Sequence, residues 1–251
     1  HLPLDLSAIT DDYFAVALDK LRETPSTLPT HLEPDTPLVD LAQDYLRLLL
    51  QGERQVASAL VLDAVQAGAS IKDVYLYVFQ RAQREIGRLW QMNQVTVAQE
   101  HYCTAATQLI MSQLYPHVFA TERNGHRAVV TCVGGELHEL GARMVADFFE
   151  MEGWDAYYLG ANTPADSILR ALNERDAELL AISATMTFHV STVADLVARV
   201  RSAEAAKTVQ ILVGGYPFNL SPQLWKNIGA HGYAPDAQKA AALAMRMVGE
   251  E

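Results

Sequence analysis

The residues best suited to chemistry are a glutamate and a histidine that follow a short apolar run. Residues 128–133 are apolar apart from one threonine, and Glu136, His138 and Gly141 come next in a glycine-rich stretch. A strand that ends in such a loop before a helix puts polar side chains at the carboxyl edge of a parallel sheet, where open α/β folds bind ligands. An imidazole there can coordinate a metal. The pattern therefore predicts a cofactor site.

Two later apolar runs also end in small residues. Ser183 and Thr185 stand at and just after the end of the run that begins at Leu179, and Gly214-Gly215 follows residues 209–213. Taken alone, the hydroxyl residues indicate a strand end or helix cap, and the glycines an ordinary turn. Because three such elements occur in order, each at the carboxyl end of a predicted strand, we expect them to share one site.

A second group of candidate residues lies earlier, in a helical region. Trp90 ends one predicted helix, while Thr96 and Gln99 form a capping box that starts the next. Glu100 and His101 therefore lie near the first turn of that next helix, at the same end of the bundle as Trp90. Singly, these residues suit a core aromatic and a solvated first turn. Together, an aromatic plate beside a carboxylate and an imidazole can hold a nucleoside.

The spacing Glu136-x-His138-x-x-Gly141 resembles the lower-ligand motif of cobalamin-binding domains, in which aspartate is commoner at the first position. The resemblance implies that His138 coordinates the corrin cobalt from below and that Glu136 hydrogen-bonds its ring. It also implies that Gly141 leaves room for the displaced nucleotide tail of the cofactor. Small residues line the path of that tail in the family, and the matching residues here are Ser183, Thr185, Gly214 and Gly215.

The earlier group is similar to the adenosyl-binding signature of cobalamin-dependent photoreceptors of the CarH and LitR type. Trp90, nine residues and then Glu100-His101 match it, and Val97 matches a residue that packs at the adenosyl group. The resemblance spans about residues 38–248 and implies an adenosylcobalamin light sensor rather than an enzyme, without catalytic residues. Light would break the cobalt–carbon bond and change conformation or self-association, regulating a transcriptional or signalling partner.

The chain departs from that family in two respects. Members that bind DNA carry an N-terminal winged-helix reader, and residues 1–35 are too short and too acidic for one. Gln91 stands where the best-known member has a histidine that binds cobalt after photolysis, and an amide is a poor cobalt ligand. These departures keep open a cobalamin-binding antirepressor that uses hydroxocobalamin.

A corrinoid methyl carrier of a methyltransferase system is a further alternative. Such a protein shares the bundle, the sheet and the histidine motif, but has no use for a nucleoside-binding pair such as Glu100-His101. That pair favours the sensor interpretation.

The elements that must position these residues fall into three regions. Residues 1–35 form a leader and linker, in which Ile9 to Glu23 could be one amphipathic helix. Residues 36–122 have the periodicity of a four-helix bundle, and residues 123–251 alternate strands with helices. The fold class is thus α/β, a helical cap followed by a flavodoxin-like, five-stranded parallel sheet of order 2-1-3-4-5. The predicted strands are residues 127–133, 155–159, 179–184, 209–213 and 232–234.

Composition limits the partners. The net charge of −11 and the pI near 5.1 argue against direct nucleic-acid binding. No uncharged apolar run is long enough to span a bilayer, so we expect no membrane insertion. Two cysteines in predicted elements are typical of reduced thiols in a cytoplasmic protein.

Overall fold

A computed structural model describes residues 28–221 and 223–249. Within these residues the chain forms two compact units, residues 28–120 and residues 121–249. The helix predicted between Ile9 and Glu23 lies outside the described residues.

The first unit is helical. Its helices are α1 (Val39–Leu50), α2 (Arg54–Gln66), α3 (Ile71–Asp73), α4 (Gln80–Gln91), α5 (Val97–Gln113) and α6 (Tyr115–Val118). A π-helical segment, Val74–Phe79, joins α3 to α4 without a break, so that residues 71–91 form the third helix of the predicted bundle.

Local chemistry explains how these helices start and pack. The Thr96 side chain accepts a hydrogen bond from the Gln99 amide, and the Gln99 side chain accepts one from the Thr96 amide, which confirms the predicted capping box of α5. Five of the six residues of the π segment are buried, among them Tyr75 and Phe79, whose rings meet edge to face. A segment buried on nearly all sides has no solvent face, which explains why helical periodicity alone did not predict the π turn.

Residues 28–33, which we call the strap, pack against α4. The amide of His31 donates to Glu85 Oε2 at 2.8 Å, and Arg81 donates to the His31 carbonyl at 2.9 Å. Arg88 donates to the Leu28 carbonyl at 3.0 Å and pairs with Glu85 at 2.6 Å. Composition predicts a linker here, whereas the structure anchors the strap through charged side chains of α4.

The second unit is a five-stranded, all-parallel sheet with helices between its strands. The strands are β1 (Arg127–Val133), β2 (Asp155–Thr163), β3 (Leu179–Ser183), β4 (Gln210–Gly214) and β5 (Gly232–Ala234). Their order is β2-β1-β3-β4-β5, which confirms the predicted flavodoxin-like topology. The helices are α7 (Leu140–Met151), α8 (Ala165–Arg175), α9 (Val190–Ser202), α10 (Tyr216–Leu220), α11 (Leu224–Asn227) and α12 (Ala237–Gly249).

Strand β2 is longer than predicted. The sequence indicates an end near residue 159, but β2 continues to Thr163, which still pairs with Val133 of β1. The ladder contains two irregularities, on either side of Thr131. The extension brings the end of β2 beside the loop that carries the candidate histidine.

Both cysteines of the chain, Cys103 and Cys132, are buried free thiols. Burial raises the pKa of Cys103 to about 11 and, with nearby carboxylates, that of Cys132 to about 12. Among the described helices, none combines the length and the apolar character that a membrane span requires.

Candidate functional site

The carboxylate of Glu136 lies fully buried just beyond the end of β1. Its Oε1 accepts hydrogen bonds from the amide and the Nδ1 of His138, at 3.0 and 2.6 Å. Its Oε2 is 2.8 and 3.1 Å from the amides of Thr185 and Met186 and 2.9 Å from Nδ1 of His189. Both oxygens of one carboxylate thus bind donors from two loops of the sheet edge.

These donors determine the ionisation of Glu136. Burial by itself would raise the pKa of this carboxyl group, because it penalises the charged form. The hydrogen bonds from the His138 side chain and amide, from the Thr185 amide and from His189 outweigh that effect and hold the pKa well below its usual range. Glu136 is therefore an ionised acceptor.

His138 has the geometry of a metal ligand that a second residue orients. Its Nδ1 is directed at Glu136, and its side chain is 54% exposed. A proton on Nδ1 satisfies the carboxylate and leaves the lone pair on Nε2, the tautomer in which imidazole coordinates metals through Nε2. A carboxylate in this position also fixes the orientation of the ring and raises its basicity.

The start of α7 and the end of β3 lie close together beside this histidine. A Cβ atom built on Gly141 would lie 3.6 Å from Ser183 Oγ, an ordinary contact distance. Packing against Ser183 therefore does not by itself require a glycine at position 141. Thr185, the other predicted hydroxyl residue, acts in the structure through its amide on Glu136.

The pair Gly214-Gly215 has a structural cause in the sheet itself. A Cβ on Gly214 would lie 2.9 Å from the carbonyl oxygen of Ala234, and one on Gly215 would overlap the carbonyl of Ala184. Gly215 also has φ of +102°, in the region that favours glycine. Close packing of backbone after β4 thus requires both glycines, whether or not a ligand is bound.

Exposed apolar side chains follow the same strand ends. Leu137 comes after β1, Met186 and Phe188 after β3, and Tyr216 after β4; Leu137 is 71% exposed and Phe188 65%. A corrin is a broad macrocycle with apolar faces that supplies four equatorial nitrogens to its metal, so it needs few protein ligands. An exposed imidazole, oriented by an ionised carboxylate and bordered by apolar side chains, fits such a group.

The second predicted group lies at one end of the helical unit. Trp90 and Gln91 end α4, Val97 begins α5, and the short turn of residues 92–96 joins the two helices. Trp90 and Val97 are each about half exposed, at 47% and 51%. In the first turn of α5, Nδ1 of His101 lies 2.5 Å from Glu100 Oε2.

His189 was missed by the sequence analysis, although it contacts Glu136 and is nearly buried. It lies 53 residues beyond Glu136, in a single turn of 3-10 helix after β3. Its position shortly after a predicted strand end is the signal that could have identified it, because all such ends meet at one edge of the sheet.

Comparisons with known proteins agree with this geometry. Residues 126–242 match the family described as the B12 binding domain, and residues 41–115 match a second family with the same description. A corrinoid protein of Desulfitobacterium hafniense is 20% identical over 218 residues, which are 85% of this chain and 100% of that protein. A monomethylamine corrinoid protein of Methanosarcina acetivorans is 26% identical over 195 residues, which are 75% of this chain and 88% of that protein.

A solved structure shares the fold. The monomethylamine corrinoid protein of Methanosarcina barkeri matches with a TM-score of 0.74 at 21% identity, covering 84% of this chain and 100% of that one. The chain is thus a cobalamin-binding domain pair like that of the corrinoid proteins, with a helical B12 binding domain followed in sequence by an α/β B12 binding domain.

Proposed function

We propose that this protein binds a cobalamin through Nε2 of His138, the lower ligand of cobalt. The observation that carries the proposal is the 2.6 Å contact between His138 Nδ1 and the buried carboxylate of Glu136. That contact fixes the tautomer in which Nε2 can coordinate a metal, and the low pKa of Glu136 keeps the acceptor charged. The cobalt, when bound, would supply an upper position at which a carbon ligand can be held and released.

We further propose that small residues beside His138 border the nucleotide tail of the cofactor. Gly141 supports this assignment because packing against Ser183 does not by itself require a glycine there: a Cβ would make an ordinary contact with Ser183 Oγ. Backbone packing already explains Gly214 and Gly215 at the end of β4. The residues proposed to line the tail are Gly141, Ser183, Thr185, Gly214 and Gly215.

For the biological role we propose first a corrinoid methyl carrier that exchanges methyl groups with partner methyltransferases. Support comes from the relatives, which are named as corrinoid proteins and in part as methylamine corrinoid proteins. In this role His138 and Glu136 hold the corrin, and the exposed apolar residues Leu137 and Phe188 cover part of its face.

A second candidate role, an adenosylcobalamin light sensor, is favoured by a specific observation in the bundle. Glu100 and His101 form a hydrogen-bonded pair near the start of α5, and the exposed Trp90 lies at the end of the preceding helix, as a binding site for a nucleoside would require. In this role Trp90 and Val97 would pack on the adenosyl group, and the pair would bind its ribose hydroxyls. Light-dependent self-association and a protein partner belong to this candidate.

Reconstitution tests the cofactor assignment. We expect the protein with adenosyl- or methylcobalamin to show the spectrum of a base-off, histidine-bound corrinoid, and His138→Ala to lose that spectrum and retain less cofactor. His117→Ala is the matched control, because His117 is an exposed histidine of the helical unit. An unchanged spectrum in His138→Ala would show that His138 is not the ligand.

The same preparation separates the two roles. A methyl carrier accepts and donates methyl groups with a methyltransferase in the dark. A sensor prefers adenosylcobalamin, and illumination changes its absorbance together with its mass in solution. Methyl transfer without any preference for the adenosyl form would exclude the sensor.

A further inference from the structure

A chain of hydrogen-bonded side chains leads from the exposed end of the bundle into its core. It begins at His101, whose Nδ1 lies 2.5 Å from Glu100 Oε2. The Oγ1 of Thr104, one turn further along α5, lies 3.0 Å from the other oxygen of Glu100. The same hydroxyl lies 3.1 Å from Oε1 of Gln83, on α4.

The inner half of the chain is more deeply buried. Nε2 of Gln83 donates to the Cys103 carbonyl at 3.3 Å and to Thr107 Oγ1 at 2.7 Å. Thr107 Oγ1 lies 2.7 Å from the hydroxyl of Tyr45 on α1, and both residues are fully buried. This polar chain of side chains thus crosses three helices, from the imidazole of His101, which is 75% exposed, to the buried phenol of Tyr45.

The orientation of Gln83 follows from its neighbours. A backbone carbonyl only accepts hydrogen bonds, so the contact with Cys103 requires the NH2 group of Gln83 on that side. Its oxygen therefore faces Thr104. A threonine hydroxyl carries one proton, whereas Thr104 has two acceptors within reach, Glu100 Oε1 and Gln83 Oε1. At any moment the hydroxyl can donate to only one of them.

We propose that Thr104 and Gln83 are positioning residues that orient the Glu100 carboxylate, and with it His101, toward a hydroxyl-bearing upper ligand of the cofactor. This inference rests on the second role proposed above, the binding of an adenosyl group. While the site lacks a nucleoside, Thr104 donates to Glu100 and holds its carboxylate in place. When a ribose hydroxyl donates to Glu100 instead, the Thr104 proton can turn to Gln83, so no acceptor in the chain loses its donor.

The proposal explains why the bundle keeps a polar chain among apolar side chains. Buried hydroxyls and amides without partners are costly, so a bundle core keeps such groups only where they bind one another. Because Tyr45, Gln83 and Thr107 lie on three different helices, the state of Glu100 is linked to the packing of the bundle core. Loss of the nucleoside would then change the hydrogen bond between Thr104 and Gln83, in the middle of the polar chain.

The test compares Thr104→Val, which keeps the shape and removes the hydroxyl, with Thr104→Ser, which keeps the hydroxyl. Dissociation constants are measured for adenosylcobalamin and methylcobalamin, and the imidazole resonances of His101 are recorded in the cofactor-free protein. We expect Thr104→Val to lower the preference for adenosylcobalamin about 5-fold to 10-fold, the effect of one ordinary hydrogen bond, because the Glu100 carboxylate is partly exposed to solvent. Affinity for methylcobalamin should stay within about twofold of the parent value, and Thr104→Ser should restore the preference.

The resonances of His101 keep this inference separate from the proposed function. They should shift in Thr104→Val and return in Thr104→Ser even if the parent protein binds both cobalamins equally. Equal binding would remove the sensor role, and shifted resonances would still identify Thr104 as a residue that positions Glu100 and His101. Resonances that do not move in Thr104→Val would overturn the inference, and so would equal losses of affinity for both cobalamins.

Discussion

A glutamate–histidine pair lies at the edge of the sheet and another at the end of the bundle, and the two are held differently. In the sheet pair, Glu136 and His138, the carboxylate is fully buried and the two amides of Thr185 and Met186 bind it. In the bundle pair, Glu100 and His101, the carboxylate is 29% exposed, and the further bond to it comes from the Thr104 side chain.

The difference concerns what fixes each carboxylate in place. Backbone donors at a sheet edge are fixed by the strand order, so the position of Glu136 follows from the fold. Side-chain donors on helices depend on individual residues, so the position of Glu100 can change with one substitution. A buried carboxylate with backbone donors suits a residue that must be held rigidly, and a partly exposed carboxylate with a side-chain donor suits a contact that can adjust.

The largest effect on stability is expected for Glu136→Gln. The NH2 group of glutamine is itself a donor and would face the N–H donors that now bind Glu136. The negative charge that binds these donors would also be lost. We expect the free energy of unfolding to fall by about 3 kcal/mol, against less than about 1 kcal/mol for Glu100→Gln, because partly exposed pairs contribute little. Urea unfolding followed by circular dichroism measures both, and equal losses would contradict the contrast between the pairs.

Glu85 tests whether the effect on stability depends on burial or on a position at the sheet edge, because it is a buried carboxylate within the bundle. Burial tends to raise its pKa, but the hydrogen bonds from Arg88 and the His31 amide lower it overall. Burial and the charge of Arg84 lower the pKa of His31. The charge of Glu85 raises it, and smaller contributions from Arg88 and Arg81 lower it further. Glu85→Gln should reduce the free energy of unfolding by about 2 kcal/mol at neutral pH.

The pH dependence of the bundle follows from the signs of these shifts. Both groups have a folded pKa below the unfolded value, so the stability that each contributes is complete above the unfolded pKa and is lost as pH falls through the folded one. Protection of α4 amides from hydrogen exchange should thus decrease below about pH 6.5 through His31 and again below about pH 4.3 through Glu85. The lower step should be absent in Glu85→Gln, and its persistence there would assign it to another carboxylate.

A smaller loss is expected for Tyr45→Phe, which removes the inner end of the polar chain. Thr107 would lose one hydrogen-bond partner but keep Gln83, so the free energy of unfolding should fall by about 1 kcal/mol. Tyr77→Phe is a suitable control, since it removes a phenolic hydroxyl from the neighbouring π segment. A loss of 3 kcal/mol or more would mean that this polar chain contributes as much to stability as the Glu136–His138 pair.

The smallest effect on stability is expected for Gln91→His, at the exposed end of α4. The change should alter the free energy of unfolding by less than about 0.5 kcal/mol, as is usual for exposed positions. In the sensor role it would instead add a nitrogen ligand for cobalt and slow the binding of added cyanide or imidazole after illumination. A parent photoproduct that is already inert to added imidazole would point to another histidine as the ligand.

The sequence predicted those parts of the fold that depend on local patterns. Alternating strands and helices gave the order of the sheet, and Thr96 and Gln99 located the start of α5. The end of β2 was placed too early because pairing beyond Gly160 depends on β1, which lies distant in sequence. Composition predicts a linker for the strap, because the charges of α4 that anchor it lie more than 50 residues away in sequence.

The candidate site was predictable where a motif is continuous in sequence. Glu136 and His138 are two residues apart, whereas the contact of His189 with Glu136 arises only when β1 and β3 become neighbours. The chain from Glu100 to Tyr45 was not predicted for the same reason, since it combines residues of three helices. The glycines after β4 were attributed to a ligand, although backbone packing is sufficient to require them.

The strap bears on how this protein can be divided for experiment. A fragment limited to residues 41–115, the range that matches the helical family, would lack residues 28–33. Glu85 would lose the amide of His31, and Arg81 and Arg88 would lose two carbonyl acceptors on α4, the helix that ends at Trp90. Calorimetry or ligand titration on that fragment would therefore describe an altered helix, and an excised bundle that starts at or before residue 28 avoids the problem.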